Sequence, residues 1–166
     1  DRIKSVKSIQ QVTNAMKMVA AAKMRRAQEN MEKARPYSSR LAEMLESLIP
    51  EIDRSLMPEL NIRPVERTLY VVITADRGMA GAFNHNVLRE AHHAIDAVGK
   101  DNSDILCVGK KACGYFKNRS YPIALEFRDF WNDLGYEHAM NLGLEIVSRF
   151  VKGEADQVQV IYNRFI

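Results

Sequence analysis

The first 35 residues carry one sustained helical pattern of apolar and small side chains. Neither glycine nor proline occurs before Pro36, and the pattern repeats about every 3.4 residues. Its members are Ile3, Val6, Ile9, Thr13, Met16, Ala20, Met24, Ala27, Met31 and Ala34. The spacing predicts an amphipathic helix roughly 50 Å long, at about 1.5 Å per residue. We call this predicted helix the rod.

Two interpretations of the rod are open, because such a stripe also occurs in the cores of helical bundles. The stripe contains few large aliphatic side chains, and residues 20–22 are all alanine. Small side chains bury little apolar area and therefore gain little hydrophobic free energy, which amounts to about 25 cal/mol per Å² buried. They do allow another backbone to approach closely. This composition favours a coiled coil with a single partner helix over packing in a broad core.

The pattern weakens after the rod. Pro36 is expected to bend or interrupt the helix, and helical spacing resumes over residues 38–49. Residues 50–67 contain three prolines and have no clear period, which is typical of a connector. The predicted domains are a coiled-coil rod helix over 1–56, a connector over 57–67 and a body over 68–166.

The body alternates continuous apolar runs with helical patterns. Strands are predicted at 68–75, 104–109, 123–130 and 157–165, and helices at 87–98, 112–118 and 136–153. Apolar, β-branched runs are typical of strands covered on both faces, and alternation with helices predicts a parallel sheet. The predicted fold class is therefore α/β, with a long N-terminal coiled-coil helix and a small Rossmann-like domain that has helices on both faces.

Charge is distributed unevenly along the chain. Residues 1–35 contain nine basic and three acidic side chains, whereas residues 36–166 contain 15 basic and 18 acidic ones. The net charge of +3 therefore hides a rod of +6 and a body of −3. A basic rod favours an acidic partner, and charge alone does not distinguish nucleic acid, anionic lipid and an acidic protein surface.

Composition excludes several classes of protein. With 46% hydrophobic and 27% charged residues, the chain has the composition of a folded globular protein. It contains no run of 18 apolar residues and no signal-peptide pattern, so neither a membrane span nor secretion is predicted. Cys107 and Cys113 form neither a CxxC motif nor a zinc pattern, which indicates a reducing compartment.

The most motif-like segment is Asp76–Asn84, DRGMAGAFN, between a predicted strand and a helix. Glycine-rich loops at this position can bind phosphates, but this loop matches neither GxGxxG nor GxxxxGK[ST]. Val108, Gly109 and Lys110 stand where an acidic residue for a ribose is expected. A tight turn that uses Gly78 and Gly81 is the main interpretation, and nucleotide binding is the alternative.

Other polar residues assemble no site. His85, His92 and His93 are expected to lack a carboxylate within one turn on their face, and they are expected on the surface. Asp129, Asp133 and Glu137 are typical of a solvated edge, and no nucleophile with its base can be assigned. We predict no catalytic, cofactor-binding or metal-binding residue and no cofactor. Two alternatives remain: a basic coiled coil that binds nucleic acid, and a nucleotide-dependent α/β enzyme.

Three segments resemble the γ subunit of F-type ATP synthase. These are RIKSVKSIQ at 2–10 with AMKMVAAAKMRRAQ at 15–28, DRGMAGAFN at 76–84 and IYNRF at 161–165. They follow the order of the family and span the chain. Ala75, Met79, Ala80 and Ala82 replace the family's Ser, Leu, Cys and Gly, and all four changes are small or apolar.

The resemblance implies a non-catalytic rotor in the central stalk, with the catalytic sites on partner β subunits. Its implied partners are the α and β subunits of the α3β3 hexamer, the ε subunit (δ in mitochondria) and the ring of c subunits, with no nucleic acid. In the family the rod pairs with a C-terminal helix, which this sequence is expected to lack. The implied location is peripheral, at the cytoplasmic face of a bacterial inner membrane or the matrix face of a mitochondrial one.

The resemblance also implies two sets of contact residues. The expected rotor–hexamer contacts are Ile9, Thr13, Met16, Lys17, Val19, Ala20, Lys23 and Arg26. The segment expected to face the acidic lever loop of the β subunit comprises Asp76, Arg77, Gly78, Ala80, Gly81 and Asn84. Contacts with a turning shaft are expected to be weak and interchangeable, since tight docking in one pose would stop rotation.

Overall fold

A computed structural model describes residues 1–131 and 133–165. The chain divides into two compact units, residues 1–53 and residues 54–166. Within the described residues, no helix is both long enough and apolar enough to cross a membrane.

The first unit is dominated by one helix, α1 (Arg2–Leu48), of 47 residues, followed by a 3-10 turn at Ile49–Glu51. The prediction of a long N-terminal helix is confirmed. No residue of α1 is buried, so its apolar stripe lies in solvent within this unit. The helix ends at Leu48, before residue 56, where the predicted coiled-coil domain ends. The second unit begins at Arg54.

The expected interruption at Pro36 is absent, because α1 continues through this residue. Proline removes one backbone donor and crowds the carbonyl four residues earlier, that of Glu32. Glu32 is exposed, so water can satisfy that carbonyl. Good helix formers lie on both sides of Pro36, at 31–35 and at 40–48, and they allow the helix to absorb this local loss.

The second unit is a four-stranded, all-parallel sheet in the order β3-β2-β1-β4. Its elements are β1 (Thr68–Ile73), α2 (Phe83–Val98), β2 (Ser103–Val108), α3 (Lys110–Lys117), β3 (Ile123–Phe127), α4 (Tyr136–Val151) and β4 (Gln157–Ile161). Short 3-10 turns lie at Arg54–Leu56, Pro58–Leu60 and Lys100–Asn102. The predicted α/β class with a parallel sheet is confirmed.

Both faces of the sheet are covered, as the continuous apolar runs predict. Side chains that alternate along a strand point to opposite faces. One core contains Tyr70, Val72, Ile105 and Cys107 with residues of α2 and α3; we call this the α2/α3 face. The other contains Leu69, Val71, Leu106 and Val108, against which the α4 side chains Leu142 and Ile146 pack.

An ion pair fastens the segment before β1 to the turn between α4 and β4. Arg63 Nε donates to Asp156 Oδ1 at 2.5 Å, and its Nη2 donates to the carbonyls of Phe150, at 2.7 Å, and Ala155. The second oxygen of Asp156 accepts the backbone N–H groups of Glu66 and Arg67, at 3.1 and 2.9 Å. These bonds align the start of β1 beside β4. We call this group the entry clamp.

Candidate functional site

The candidate site is the loop of residues 76–82, which leaves the carboxyl end of β1 and enters α2. Its base is a close contact between two strands. Thr74 N–H donates to the Val108 carbonyl at 2.8 Å, and the buried Thr74 hydroxyl accepts the Ala112 N–H at 2.9 Å. Gly109 passes so close to Thr74 that a Cβ there would lie 2.1 Å from the Thr74 carbonyl oxygen.

Two polar side chains of the motif point inward and hold the loop. Asn84 Oδ1 accepts the Ala75 N–H at 2.9 Å, and Asn84 Nδ2 donates to the Arg77 carbonyl at 3.2 Å. Asp76 Oδ1 accepts the N–H of Lys110, the first residue of α3, at 2.7 Å. Both residues were predicted as part of the site, and the structure gives them an anchoring role within the chain.

The remaining residues of the loop are turned outward. Arg77, Gly78, Ala80 and Gly81 are exposed, and Met79 is fully exposed in a left-handed conformation at φ 56°. Across the part of the chain that the structure describes, the Arg77 side chain makes no hydrogen bond or ion pair. The loop therefore presents one uncompensated guanidinium beside an exposed thioether.

Lysine side chains from α3 extend this surface. The Lys111 amine lies over Gly78, where a Cβ would be 3.2 Å from Lys111 Nζ. Lys110 pairs with Asp129, and this hydrogen bond raises the pKa of Lys110 above its usual value. Among the residues that the structure describes, this edge thus has two cations without an ion-pair partner, Arg77 and Lys111, beside the paired Lys110, a pattern suited to an acidic partner. Sequence reasoning missed Lys111, although its position after Gly109 at the end of β2 was a usable signal.

The loop is poorly arranged for a nucleotide. A helix N-terminus binds phosphate through free backbone N–H groups. The first N–H of α2, that of Phe83, already donates to the Ala80 carbonyl at 3.1 Å, and Asp76 occupies the first N–H of α3 with a carboxylate. Among the described residues, no group of three or more His, Cys, Asp or Glu side chains could hold a metal. The alternative of a nucleotide-dependent enzyme therefore gains no support from this loop.

The histidines differ from expectation in one case. His92 is half-buried on the α2/α3 face, with its Nδ1 2.7 Å from the Tyr121 hydroxyl and its Nε2 3.2 Å from Asp96. Tyr121 also donates to Asp96 at 3.0 Å. Burial and the Asp96 carboxylate raise the pKa of Tyr121 to about 12, so the hydroxyl remains a donor at neutral pH. His92 is thus only partly exposed, and the expectation that no carboxylate lies within one turn on its face is wrong, because Asp96 lies four residues further along α2. His85 and His93 are exposed, as expected.

The predicted rotor–hexamer contact residues lie on α1. All eight are exposed, and on a helical projection they cover about half of the circumference. Ile9, Met16 and Val19 expose 65, 63 and 57% of their surface, and Thr13 donates its hydroxyl to the Ile9 carbonyl at 2.8 Å. An apolar stripe with lysines at its margin can pack against a partner helix or against a surrounding protein surface lined with polar groups.

We expect replacement of Asn84 with alanine to loosen the loop without unfolding the body. Two hydrogen bonds are lost, which corresponds to about 1 kcal/mol. Amide exchange at Ala75, whose N–H the side chain accepts, should then accelerate roughly fivefold. Asn86→Ala is the control, because Asn86 is exposed and its backbone N–H donates to the Ala82 carbonyl. Equal exchange rates in both variants would contradict the anchoring role.

A long helix without buried residues, joined to a small α/β body, defines a class of protein built for assembly with partners. The comparisons identify the family. A family model described as ATP synthase matches residues 1–166, and the chain belongs to that family.

Two relatives are both described as an ATP synthase gamma chain. The chain is 44% identical over 170 residues to the ATP synthase gamma chain of Prosthecochloris aestuarii, with 99% of this chain and 58% of the relative covered. It is 39% identical over 164 residues to the ATP synthase gamma chain of Heliobacterium modesticaldum, with 99% and 56% covered. The chain therefore spans a little over half the length of these relatives.

A solved structure is similar throughout most of the chain. It is the central stalk and c-ring assembly of the Tetrahymena thermophila mitochondrial ATP synthase. The TM-score is 0.73 at 25% sequence identity, with 93% of this chain and 66% of that chain covered. The alternatives of a nucleic-acid-binding module and a nucleotide-dependent enzyme find no support in these comparisons.

Proposed function

We propose that the chain forms part of the central-stalk rotor of an F-type ATP synthase. In that role it couples ion flow through the membrane ring to ATP synthesis or hydrolysis in the α3β3 hexamer. The observation that carries the proposal is a 47-residue helix with no buried residue, in a chain that matches the ATP synthase family over its whole length. A helix of this length owes most of its stability to packing, so it requires partners.

The catalytic sites belong, in this proposal, to the β subunits of the hexamer. The chain transmits force and performs no chemistry. Ile9, Thr13, Met16, Val19 and Ala20 face a partner helix and the inner wall of the hexamer. Lys17, Lys23 and Arg26 make the polar contacts with that wall.

The loop of residues 76–82 faces the acidic lever loop of a β subunit. Arg77 supplies the main attraction, since its guanidinium is exposed and has no partner within the described residues. Lys111 reinforces the positive field from beside Gly78. An ion pair in which both charges are exposed is weak and forms again easily after it breaks. Such a pair suits a contact that is broken at each step of rotation.

The remaining partners follow from the same role. The body joins the ε subunit, called δ in mitochondria, and the ring of c subunits. The chain is then peripheral to the membrane, at the cytoplasmic face in a bacterium or the matrix face in a mitochondrion. The name of the Tetrahymena assembly, which includes both central stalk and c-ring, supports this arrangement.

The proposal is tested by reconstitution of the full subunit with α and β subunits. We expect a particle that hydrolyses ATP and turns the stalk. The double variant Lys17→Ala/Lys23→Ala should weaken attachment of the subunit to the hexamer about tenfold, since each exposed charge contributes less than about 1 kcal/mol. The readout is the dissociation constant at two salt concentrations.

The matched control is Lys33→Ala/Arg35→Ala, which removes the same charge from α1 outside the proposed contact set. It should leave attachment unchanged within about twofold. If the subunit assembles no ATP-hydrolysing particle, the proposed function is wrong. If both double variants weaken attachment equally, the rotor role stands and the assignment of these contact residues is wrong.

A further inference from the structure

The segment IYNRF at 161–165 begins with the last residue of β4, and the proposed function does not use it. Alternate side chains along a strand point to opposite faces of the sheet, so Ile161 and Asn163 point to the same face. Ile161 packs against the core of the α2/α3 face. Asn163 therefore lies at the rim of that core, on the side of the sheet that α2 covers.

Asn163 makes a direct contact with the residue at which the candidate loop ends. Its Nδ2 donates to the carbonyl oxygen of Phe83, the first residue of α2, at 2.8 Å. Asn163 is only partly exposed, whereas Tyr162 and Arg164 on either side of it are exposed. The two bonded residues are 80 positions apart along the chain, so the fold alone brings them together.

Phe83 is the junction between the candidate loop and α2. Its N–H donates to the Ala80 carbonyl at 3.1 Å, which closes the turn around Gly81, whose φ is 55°. A backbone carbonyl has two lone pairs, so the Phe83 oxygen can accept both a helical N–H and the Asn163 amide. Asn163 thus fixes the junction without competing with the helix.

A second amide connects this junction to Arg77. Asn84 Nδ2 donates to the Arg77 carbonyl at 3.2 Å, and Asn84 Oδ1 accepts the Ala75 N–H at 2.9 Å. The path from Asn163 to the Arg77 backbone therefore consists of two hydrogen bonds and the peptide unit between Phe83 and Asn84. A loop held from one strand can turn about that attachment, whereas a second attachment fixes the direction of its side chains.

We propose that Asn163 is a positioning residue for Arg77. It holds the candidate loop from the β4 side, as Asn84 holds it from the β1 side, and it joins the loop to the segment that follows β4. The proposal rests on the proposed function, in which Arg77 attracts the acidic lever loop of a β subunit. The attraction between two charges falls with their distance, so Arg77 attracts less when the loop can move away from its partner.

The first measurement is amide exchange in the full subunit without its partners. Asn163→Ala should accelerate exchange of the Phe83 amide roughly threefold, since the junction loses one hydrogen bond. Asn163→Asp should give the same result, because an ionised aspartate has the shape of asparagine but no N–H to donate. Asn141→Ala is the control, since it removes an exposed amide from α4, which packs on the other face of the sheet. Exchange at the wild-type rate in either Asn163 variant overturns the proposal.

The second measurement separates positioning from a merely structural role. Arg77→Ala removes an exposed charge, so attachment to the α3β3 hexamer should weaken about threefold and depend less on salt. Asn163→Ala removes no charge, yet it should also reduce the salt dependence of the dissociation constant, because Arg77 is no longer held towards its partner. In the Asn163→Ala background, Arg77→Ala should therefore weaken attachment by less than about 1.5-fold.

The outcomes distinguish this inference from the proposed function. An unchanged salt dependence in Asn163→Ala, or an equal effect of Arg77→Ala in both backgrounds, would limit Asn163 to a structural role and overturn the proposal. If the wild-type subunit assembles no ATP-hydrolysing particle, the proposed function is wrong and the role of Arg77 is lost with it. The exchange rates of the subunit alone would then still show whether Asn163 holds the loop.

Discussion

Replacement of Gly109 with alanine is expected to destabilise the body by about 4 kcal/mol, a large part of the roughly 5–15 kcal/mol by which ordinary domains are stable. Gly109 has φ 94° and ψ 147°, a conformation open essentially to glycine alone, and forcing another residue into it costs about 1–3 kcal/mol. The new Cβ would also lie 2.1 Å from the Thr74 carbonyl oxygen, so β1 and β2 would have to separate. Urea unfolding of the two proteins measures the difference.

The chain provides a closely matched control in Gly99. Its φ of 97° and ψ of 145° nearly equal those of Gly109, but a Cβ at Gly99 would meet no atom within 4 Å. Gly99→Ala should therefore show the conformational cost alone, about 1–3 kcal/mol. The excess in Gly109→Ala then reports the close approach of the strands, and equal losses in the two variants would refute that contact.

Loss of the entry clamp is expected to have the next largest effect. Arg63→Ala removes the bonds to Asp156 and to the Phe150 and Ala155 carbonyls, together with a guanidinium that lies 4.5 Å from the Phe150 ring centroid. Charged hydrogen bonds of this kind contribute about 2 kcal/mol. Thermal unfolding of Arg67→Ala is the control, since Arg67 makes one ion pair, with Asp104, and is half-exposed. A similar loss in both variants would argue against the clamp.

The same clamp makes stability depend on pH. The N–H groups of Arg67 and Glu66, with Arg63, hold the pKa of Asp156 below its usual value. The folded state therefore binds this proton more weakly than the unfolded state does, and the stabilisation is present above about pH 4. It is lost as the pH falls through the folded pKa. Asp156→Asn should flatten the stability profile below pH 4, and an unchanged acid limb would exclude this carboxylate as its source.

The sequence was most informative where one physical effect dominates. An uninterrupted helical period predicted α1, and the apolar β-branched runs predicted four strands because both faces of a parallel sheet must be buried. The interruption expected at Pro36 is absent because an exposed helix can lose one backbone hydrogen bond while the residues on both sides remain helical. The ends of strands, such as β1 at Ile73 rather than residue 75, depend on hydrogen bonds that no local pattern encodes.

The motif in the sequence located the candidate loop, but it did not show which loop residues anchor the loop and which face solvent. In the sequence, Asp76 and Asn84 are as plausible as Arg77 for contact with a partner. Only the fold shows that Asp76 and Asn84 are turned inward. Lys111 reaches Gly78 across the space between α3 and the loop, so this contact depends on tertiary packing. The entry clamp escaped notice because Arg63 and Asp156 are 93 residues apart along the chain.

The exposure of α1 has a consequence for the life of the subunit in the cell. Because no residue of α1 is buried, little of the free energy that keeps it helical comes from its own unit. The persistence of this helix then depends on what covers the stripe: a helix of the same chain stabilises it at any concentration, whereas a separate partner stabilises it by mass action. A copy made in excess of its partners would offer 47 residues of accessible backbone to proteases. Degradation of such unassembled copies would itself keep the subunits in proportion.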